Sequence, residues 1–438
     1  MMKHDALIQN LMAFLNTSPT AWHAVNNATQ QLVQSNFLPL SDKHRWDIQP
    51  EQRYVVSRNG SSLCAFITPK HPPKRLRLVA SHTDSPALKL KPLPEIRKNH
   101  AILLGVEVYG SPLLTSWLNR DLGIAGHIFY KDMHGKVKET LVDFDQYPVV
   151  IPQLAIHLDR EVNEKGLQLN KQDHLNALAG LEGSWEGSSS FLESLLHETI
   201  EFKQILSHDL LLYPLEKARL CGYKNSLLSA YRIDSLASVH AALTAMINQS
   251  EPLNDEIKMI VFWDNEEVGS HTAQGADSPF FSQILERIVA GFKGTREDYF
   301  CLLNSSSCIS VDLAHALHPN YSEKHDPQHQ PFLGGGVVLK SNAQQRYATS
   351  AQSALPLKMI AAQKHLSLQT FVSKNDIPCG TTIGPLQAAQ TGMSTVDIGC
   401  GQLSMHACRE LMACQDHIDM VNLLSALFHT AHWPEAED

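Results

Sequence analysis

The stretch Ile257-Lys258-Met259-Ile260-Val261-Phe262-Trp263-Asp264-Asn265-Glu266-Glu267-Val268-Gly269-Ser270 decides how the chain is read. Its mostly apolar run from Ile257 to Trp263 has the length and make-up of a buried strand, and it stops abruptly at a carboxylate cluster followed by glycine. In an open α/β sheet the carboxyl ends of the strands are where ligands collect. Two adjacent glutamates there have a specific chemical use, since one can bind a metal while the other, uncoordinated, moves a proton. Taken alone, such a pair reads as a solvated turn. The rest of the chain has to decide between the two.

Length and composition narrow the choice. A chain of 438 residues can bury a large core and is expected to form two domains. With 43% hydrophobic and 18% charged residues it has the composition of a soluble globular protein rather than a disordered one. A formal charge of −9 argues against nucleic acid or an anionic membrane as the main partner. No apolar run approaches the length of a membrane span, and Leu7 to Leu15 is broken by Gln9 and Asn10, so neither a span nor a signal peptide is expected. The eight cysteines are scattered without a C-x-x-C pair, which suits reduced, mostly buried thiols and a cytoplasmic location.

Periodicity then sets out the elements. Leu7, Leu11, Phe14 and Leu15 fall at helical spacing, and Ser18-Pro19 offers an N-cap and first turn for a second helix through Trp22 and Val25. Tyr54 to Val56 and Leu63 to Ile67 read as strands around a turn at Asn59-Gly60. Arg75 to Ala80 is a further strand that ends in Ser81-His82-Thr83-Asp84. From about residue 90 short β-like runs (Ile102 to Leu104, Ile124 to Tyr130, Val149 to Ile151) alternate with turns. A Gly/Ser loop, Gly183 to Ser190, precedes a helix carrying Phe191, Leu195 and Ile200. Residues 91–230 therefore read as an inserted β-rich domain. Alternation of helix and strand resumes at Asp234, with strands expected at Ile309 to Val311, Val337 to Leu339, Leu368 to Val372 and Val396 to Ile398. Helices are expected at Phe280 to Val289, Ala351 to Lys364 and Ile418 to His429. The fold class is α/β, a mixed central sheet flanked by helices, with residues 1–90 and 231–438 forming a discontinuous catalytic domain.

Five places put an ionisable group just beyond an apolar run: His82 with Asp84, Asp234 after Ala230 to Ile233, Glu266-Glu267, Asp312 after Ile309 to Val311, and His406 after Leu403 to Met405. Each is weak alone. Together they supply two imidazoles and five carboxylates, a donor set that zinc accepts. A carboxylate such as Asp234 can bridge two metals with its two oxygens. H-E-x-x-H is absent, as are C-x-x-C pairs. Gly334-Gly335-Gly336 precedes a strand and lacks dinucleotide-binding spacing. His315, His318, His325 and His329 read as a solvated loop rather than a further metal site, and Lys89, Lys91, Arg97 and Lys98 as an exposed face or an oligomer contact.

Longer segments carry a resemblance. They are Ala80-Ser81-His82-Thr83-Asp84-Ser85-Pro86, Ile151 to Leu158, Arg232-Ile233-Asp234, Asn265 to Ser270, Asp312-Leu313-Ala314-His315, Gln345 to Thr349, Cys379 to Pro385 and Ser404-Met405-His406. In this order they resemble the aspartyl aminopeptidase family of dinuclear zinc exopeptidases, nearly end to end. The resemblance implies that Asp234 bridges two zinc ions, that His82 and Asp312 complete one site and Glu267 and His406 the other, and that Glu266 is the general base. It implies that Asp84 orients His82, that His157 reaches from the inserted domain into a neighbouring subunit, and that Lys340 favours acidic N-terminal side chains. Short peptides would be the substrates, Mn2+ or Co2+ could fill one of the sites, and the assembly would be a homo-oligomer, a dodecamer built from dimers. Ser235, the proline-free Gly334 to Val337 loop, Gly399 to Gly401 and Ala407 depart from the family's usual residues, but no implied ligand or base is lost. Two other functions are weighed beside this one: a related aminopeptidase preferring neutral N-termini, and an inactive scaffold, which the intact ligand set disfavours.

Overall fold

The structure, a computed structural model, describes residues 2–184, 190–249 and 252–430, so most of the Gly/Ser loop before Phe191 lies outside the described residues. The chain divides into two compact units. The larger contains residues 1–84, 218–405 and 410–438, and the smaller residues 85–217 and 406–409. The division read from sequence at 90/91 and 230/231 therefore compares with breaks at 84/85 and 217/218.

The larger unit is built on a nine-stranded sheet. Its order is Leu38–Leu40, Arg53–Arg58, Ser62–Ile67, Glu256–Trp263, Arg75–His82, Ser307–Val311, Ser394–Gly399, Val337–Ser341 and Leu368–Val372. The four strands at its middle, from Glu256–Trp263 to Ser394–Gly399, are mutually parallel, and the strands on either side of them join antiparallel. All eight residues of Glu256–Trp263 are buried, because helices cover both faces of the sheet. Alternation along the strand sorts its side chains. Ile260 and Phe262 pack with the helices Ala21–Gln34, Ile233–Ile247 and Cys414–His429, whereas Met259, Val261 and Trp263 pack with Phe280–Gly291 and Arg296–Asn304. The mixed α/β architecture expected from the alternation of elements is present.

Several local readings shift. The second helix is capped by Thr20, whose side chain accepts from the His23 amide, not by Ser18. The apolar run before Asp234 is not one strand. Leu227–Ala230 is extended, Arg232 turns into the left-handed region at φ 63°, and Asp234 (φ −81°, ψ 111°) is still non-helical at the head of the helix that runs on to Ile247. The helix from Phe191 ends at His197, short of Ile200. Helices Arg296–Asn304 and Ile383–Thr391 escaped the periodicity reading, as did a small five-stranded sheet that includes Leu227–Ala230, Glu410–Ala413 and Gly401–Leu403.

In the smaller unit six antiparallel strands form one sheet. The short β-like runs of the sequence are pieces of longer strands, such as Leu122–Lys131 and Ala101–Tyr109. Ala87–Lys98 carries Pro92 and Pro94, which lack the amide needed for the ladder, and its register breaks between Leu90 and Glu95. All eight cysteines are free thiols. Among the described residues no helix is long and apolar enough to cross a membrane.

The central sheet also contains a buried ion pair. The guanidinium of Arg77, 1% exposed, is paired with Glu256, with one bond of 2.9 Å from Nη2 to Oε2, and another N–H donates to the Leu427 carbonyl of the last helix. Arg77→Met is expected to strand the Glu256 carboxylate and to cost about 3–5 kcal/mol in denaturant unfolding, and Arg77→Met with Glu256→Leu to restore much of it. A single variant as stable as the parent would show that the pair contributes little.

Candidate metal centre

Parallel strands end on the same side of a sheet, and this is what gathers the acidic turns. His82 is the last residue of Arg75–His82, Asp312 directly follows Ser307–Val311, and Glu266 and Glu267 come three and four residues after Trp263. Neighbouring strand exits are also tied together. The Thr83 amide donates to the Trp263 carbonyl at 2.7 Å and its hydroxyl to the Ser61 carbonyl at 2.7 Å.

Three groups then meet. His82 Nε2 lies 3.4 Å from Asp234 Oδ1 and 3.3 Å from Asp312 Oδ1, and each of these three residues offers a ligand atom within 4.8 Å of the others. His82, Glu266 and Glu267 form a second such group. On its other side, His82 Nδ1 stands 3.1 Å from the Asp84 backbone carbonyl. Because a carbonyl can only accept, Nδ1 carries a proton; facing carboxylates that also only accept, Nε2 carries one as well unless a cation takes its lone pair.

Asp84 was expected to orient His82 through its carboxylate, which does stand 3.4 Å from Nδ1. Its shorter contacts are elsewhere. Asp84 Oδ1 accepts the Glu266 amide and Oδ2 the Glu267 amide, each at 3.1 Å. One side chain thus holds the backbone of both glutamates, in a turn that visits the left-handed region at Asn265 (φ 62°) and Ser270 (φ 65°). Sequence reasoning also missed two residues that place Asp234. Its amide donates to Glu410 Oε2 at 2.9 Å, and Arg232 beside it donates to the Ser18 and Thr83 carbonyls. Glu410 lies 176 residues away in sequence, and nothing local announces it.

Asp312 is braced from three sides. Its Oδ1 accepts the Leu313 amide at 2.8 Å, and its own amide donates to Ile398 O at 2.9 Å. Lys340, 1% exposed, donates to Asp312 Oδ2 at 3.3 Å and to the Leu313 carbonyl at 2.9 Å, and its ammonium lies 5.0 Å from the centroid of the Tyr347 ring. Gly399 closes the approach, since a Cβ there would stand 1.8 Å from the Asp312 carbonyl oxygen. A side chain at that position would part the two segments.

The charges are mutually frustrated. Burial acts against a charged His82, but hydrogen bonds to Asp234, Asp312 and Asp84 outweigh it and hold the imidazole well above its ordinary range. Desolvation, joined by the carboxylates of Asp312, Asp84 and Asp234 against the opposing pull of His82, pushes Glu266 up to about 8. Burial would raise Asp312 too, yet Lys340 and His82 hold it far below the usual carboxylate range. Asp264, which is also buried, is raised to about 7 by desolvation and by Asp84. A group of acids that draws protons this strongly is suited to a divalent cation, and nitrogen and carboxylate oxygen are donors that zinc takes.

His406 belongs to the short 406–409 segment of the smaller unit, where Nδ1 donates to the Ser111 carbonyl at 3.1 Å and Nε2 becomes the lone-pair nitrogen. His157, in the same unit, is exposed in a turn beside Ile156 and Leu158, the latter 74% exposed. Of the four loop histidines, His325 is buried and His329 pairs with Asp326 at 2.8 Å, and among the described residues they form no metal-holding group. A cavity of about 330 Å3 lies within the larger unit, lined among others by Tyr347, Phe371, Ile377, Cys379, Lys374 and Met405.

Residues 14–428 match the profile of the family described as Aminopeptidase I zinc metalloprotease (M18). The chain is 41% identical over 424 residues to the probable M18 family aminopeptidase 2 of Streptomyces avermitilis, covering 95% of this chain and 96% of that one. Among solved structures it is similar to the cryo-EM structure of the Ape4 and Nbr1 complex, with a TM-score of 0.92, 35% identity and coverage of 97% of this chain and 86% of that one. It is similar as well to the S. cerevisiae mApe1 dodecamer, with a TM-score of 0.85, 27% identity and coverage of 99% and 98%.

Removing one oxygen acceptor from Asp84 tests the turn it holds. Asp84→Asn is expected to weaken zinc binding about 10–100-fold, measured by competition with a fluorescent chelator. Unchanged affinity would mean that the turn keeps its shape without the carboxylate.

Proposed function

The chain belongs to the M18 family of zinc metalloproteases and is a metalloaminopeptidase, and from that premise we propose that it removes acidic residues from the N-termini of short peptides with two zinc ions and Glu266 as general base. The observation that carries this reading is the convergence of Asp234 with His82, Asp312 and Glu266-Glu267, the last four at the ends of parallel strands.

In this reading His82 and Asp312 would hold one ion and Glu267 and His406 the other, with Asp234 as a ligand shared between them. Bound zinc would lower the pKa of a shared water from ~16 towards ~7 and polarise the scissile carbonyl. Glu266 takes the proton of that water and passes it to the leaving amine, which requires that its carboxylate stay uncoordinated. Asp84 supports this division of labour by fixing the backbones of both glutamates. His157 of a neighbouring subunit would meet the developing oxyanion, with residues 85–217 acting as the dimerisation domain of a homo-oligomer, up to a dodecamer built from dimers. Manganese or cobalt is admissible at a carboxylate-rich position, because such ligands discriminate poorly among divalent metals.

Lys340 has two tasks. Of its three N–H donors, one serves Asp312 and one the Leu313 carbonyl, and the third is left for the substrate's side-chain carboxylate. A second reading, a preference for neutral N-termini, draws on the apolar lining of the cavity by Phe371, Ile377 and Met405.

Glu266→Gln is expected to retain zinc, measured by mass spectrometry, while turnover falls by roughly 10²–10⁴. Near-parental turnover would remove Glu266 as the base. On Asp-, Glu- and Leu-arylamides the parent should favour the acidic pair and Lys340→Ala should lose that ranking. A parent that prefers Leu would favour the second reading, and a ranking unchanged by Lys340→Ala would take the lysine out of recognition.

A further inference from the structure

Asp397 has no part in the chemistry above, yet it is a fully buried carboxylate (0% exposed) in the strand Ser394–Gly399. What surrounds it is specific. Oδ2 accepts the Ala348 amide at 2.6 Å, Oδ1 accepts the Thr382 hydroxyl at 2.7 Å, and the Asp397 amide donates to Thr349 Oγ1 at 3.0 Å. The loops that bring these donors are also joined to each other, since the Thr381 hydroxyl donates to the Arg346 carbonyl at 3.1 Å. Gly384, in the first turn of Ile383–Thr391, is pressed against the carboxylate: a Cβ there would stand 2.4 to 2.7 Å from its atoms. The start of that helix therefore faces the acid, where its dipole favours negative charge.

These loops have a shared destination. Tyr347 comes from the first and Cys379 and Gly380 from the second, and all three line the 330 Å3 cavity. Tyr347 is also the ring beneath Lys340. We infer that Asp397 is the positioning residue of the substrate cavity, binding the loops of Tyr347 and Cys379 to one strand so that the cavity and the Lys340 ammonium keep a fixed relation. A carboxylate suits this task because every group aimed at it is a donor and it offers acceptors only. The inference rests on the proposed reading in one respect, that the cavity lined by Tyr347, whose ring lies 5.0 Å from the Lys340 ammonium, receives the substrate's N-terminal side chain.

Three variants test it. Asp397→Ala removes both acceptors, Thr382→Val removes one, and Asp397→Asn can satisfy both partners if the Thr382 hydroxyl turns to accept. The expected result is a KM for Asp-arylamide raised roughly tenfold or more in Asp397→Ala, severalfold in Thr382→Val and little in Asp397→Asn, with zinc content unchanged and a smaller effect on kcat. Hydrogen exchange should show residues 346–350 and 379–384 losing protection together in Asp397→Ala. Unchanged KM and Asp-to-Leu selectivity, with only a lowered melting temperature, would reduce Asp397 to a structural role and overturn the inference. Should Asp397→Ala fail to fold, Thr382→Val decides by the same measurements. If the parent cleaves no N-terminal arylamide, the functional reading fails, and the exchange data still judge whether Asp397 holds both loops. Protection retained in both loops would sink the inference regardless of activity.

Discussion

Acidic side chains crowded around one imidazole at the ends of parallel strands are the constraint on which the rest of this structure depends. Asp234 and Asp312 both approach the same nitrogen of His82, with Glu266 and Glu267 alongside. Like charges in a site with little water cannot all ionise unless a cation balances them. The site answers with raised proton affinity at His82 and Glu266, and with a fully buried lysine against Asp312. Each offsets negative charge that the gathered acids would otherwise leave unbalanced.

Holding that arrangement takes more structure than the ligands themselves. Asp84 anchors the glutamate turn by its backbone, Glu410 and Arg232 seat the start of the Asp234 helix, and Gly399 lets one strand touch the Asp312 turn. Several of these are themselves buried polar or charged groups. Their hydrogen bonds repay part of the cost of burying them, and the rigidity they confer keeps repelling groups close together. The central sheet serves the same end, because its parallel strands aim their exits to one side and the covering helices exclude water from both faces.

Much of this was legible in the chain. Alternating apolar runs gave the strand sites of the central sheet, and each polar cluster beyond an apolar run was a visible candidate. Asp234 shows where local reading stops. Its neighbours look like a strand end, but Arg232 adopts a left-handed conformation and Asp234 itself is non-helical at the head of a helix. Lys340 was visible only as a cation near a motif, and its ion pair with Asp312 comes from a register in which Leu339 lies against Ile398. Thr20 rather than Ser18 caps the second helix because capping needs an amide three residues on at the right angle, and several hydroxyls compete for that role in the sequence.

The sequence by itself determined which residue types stand at the strand exits, and with them the chemistry available: imidazole, carboxylate and an adjacent pair of glutamates. Those are local properties, written in apolar runs and in the polar residues just beyond them. Only the tertiary structure decided which groups meet and which supports hold them, as with Glu410 at Asp234, Lys340 at Asp312, and Asp397 between two loops. These pairings join segments up to 176 residues apart. Strand order and register create them, and a one-dimensional pattern carries neither. At Glu266-Glu267 the two levels join: the sequence supplied two like acids side by side, and the fold, through Asp84, holds both of their backbones at the exit of one parallel strand.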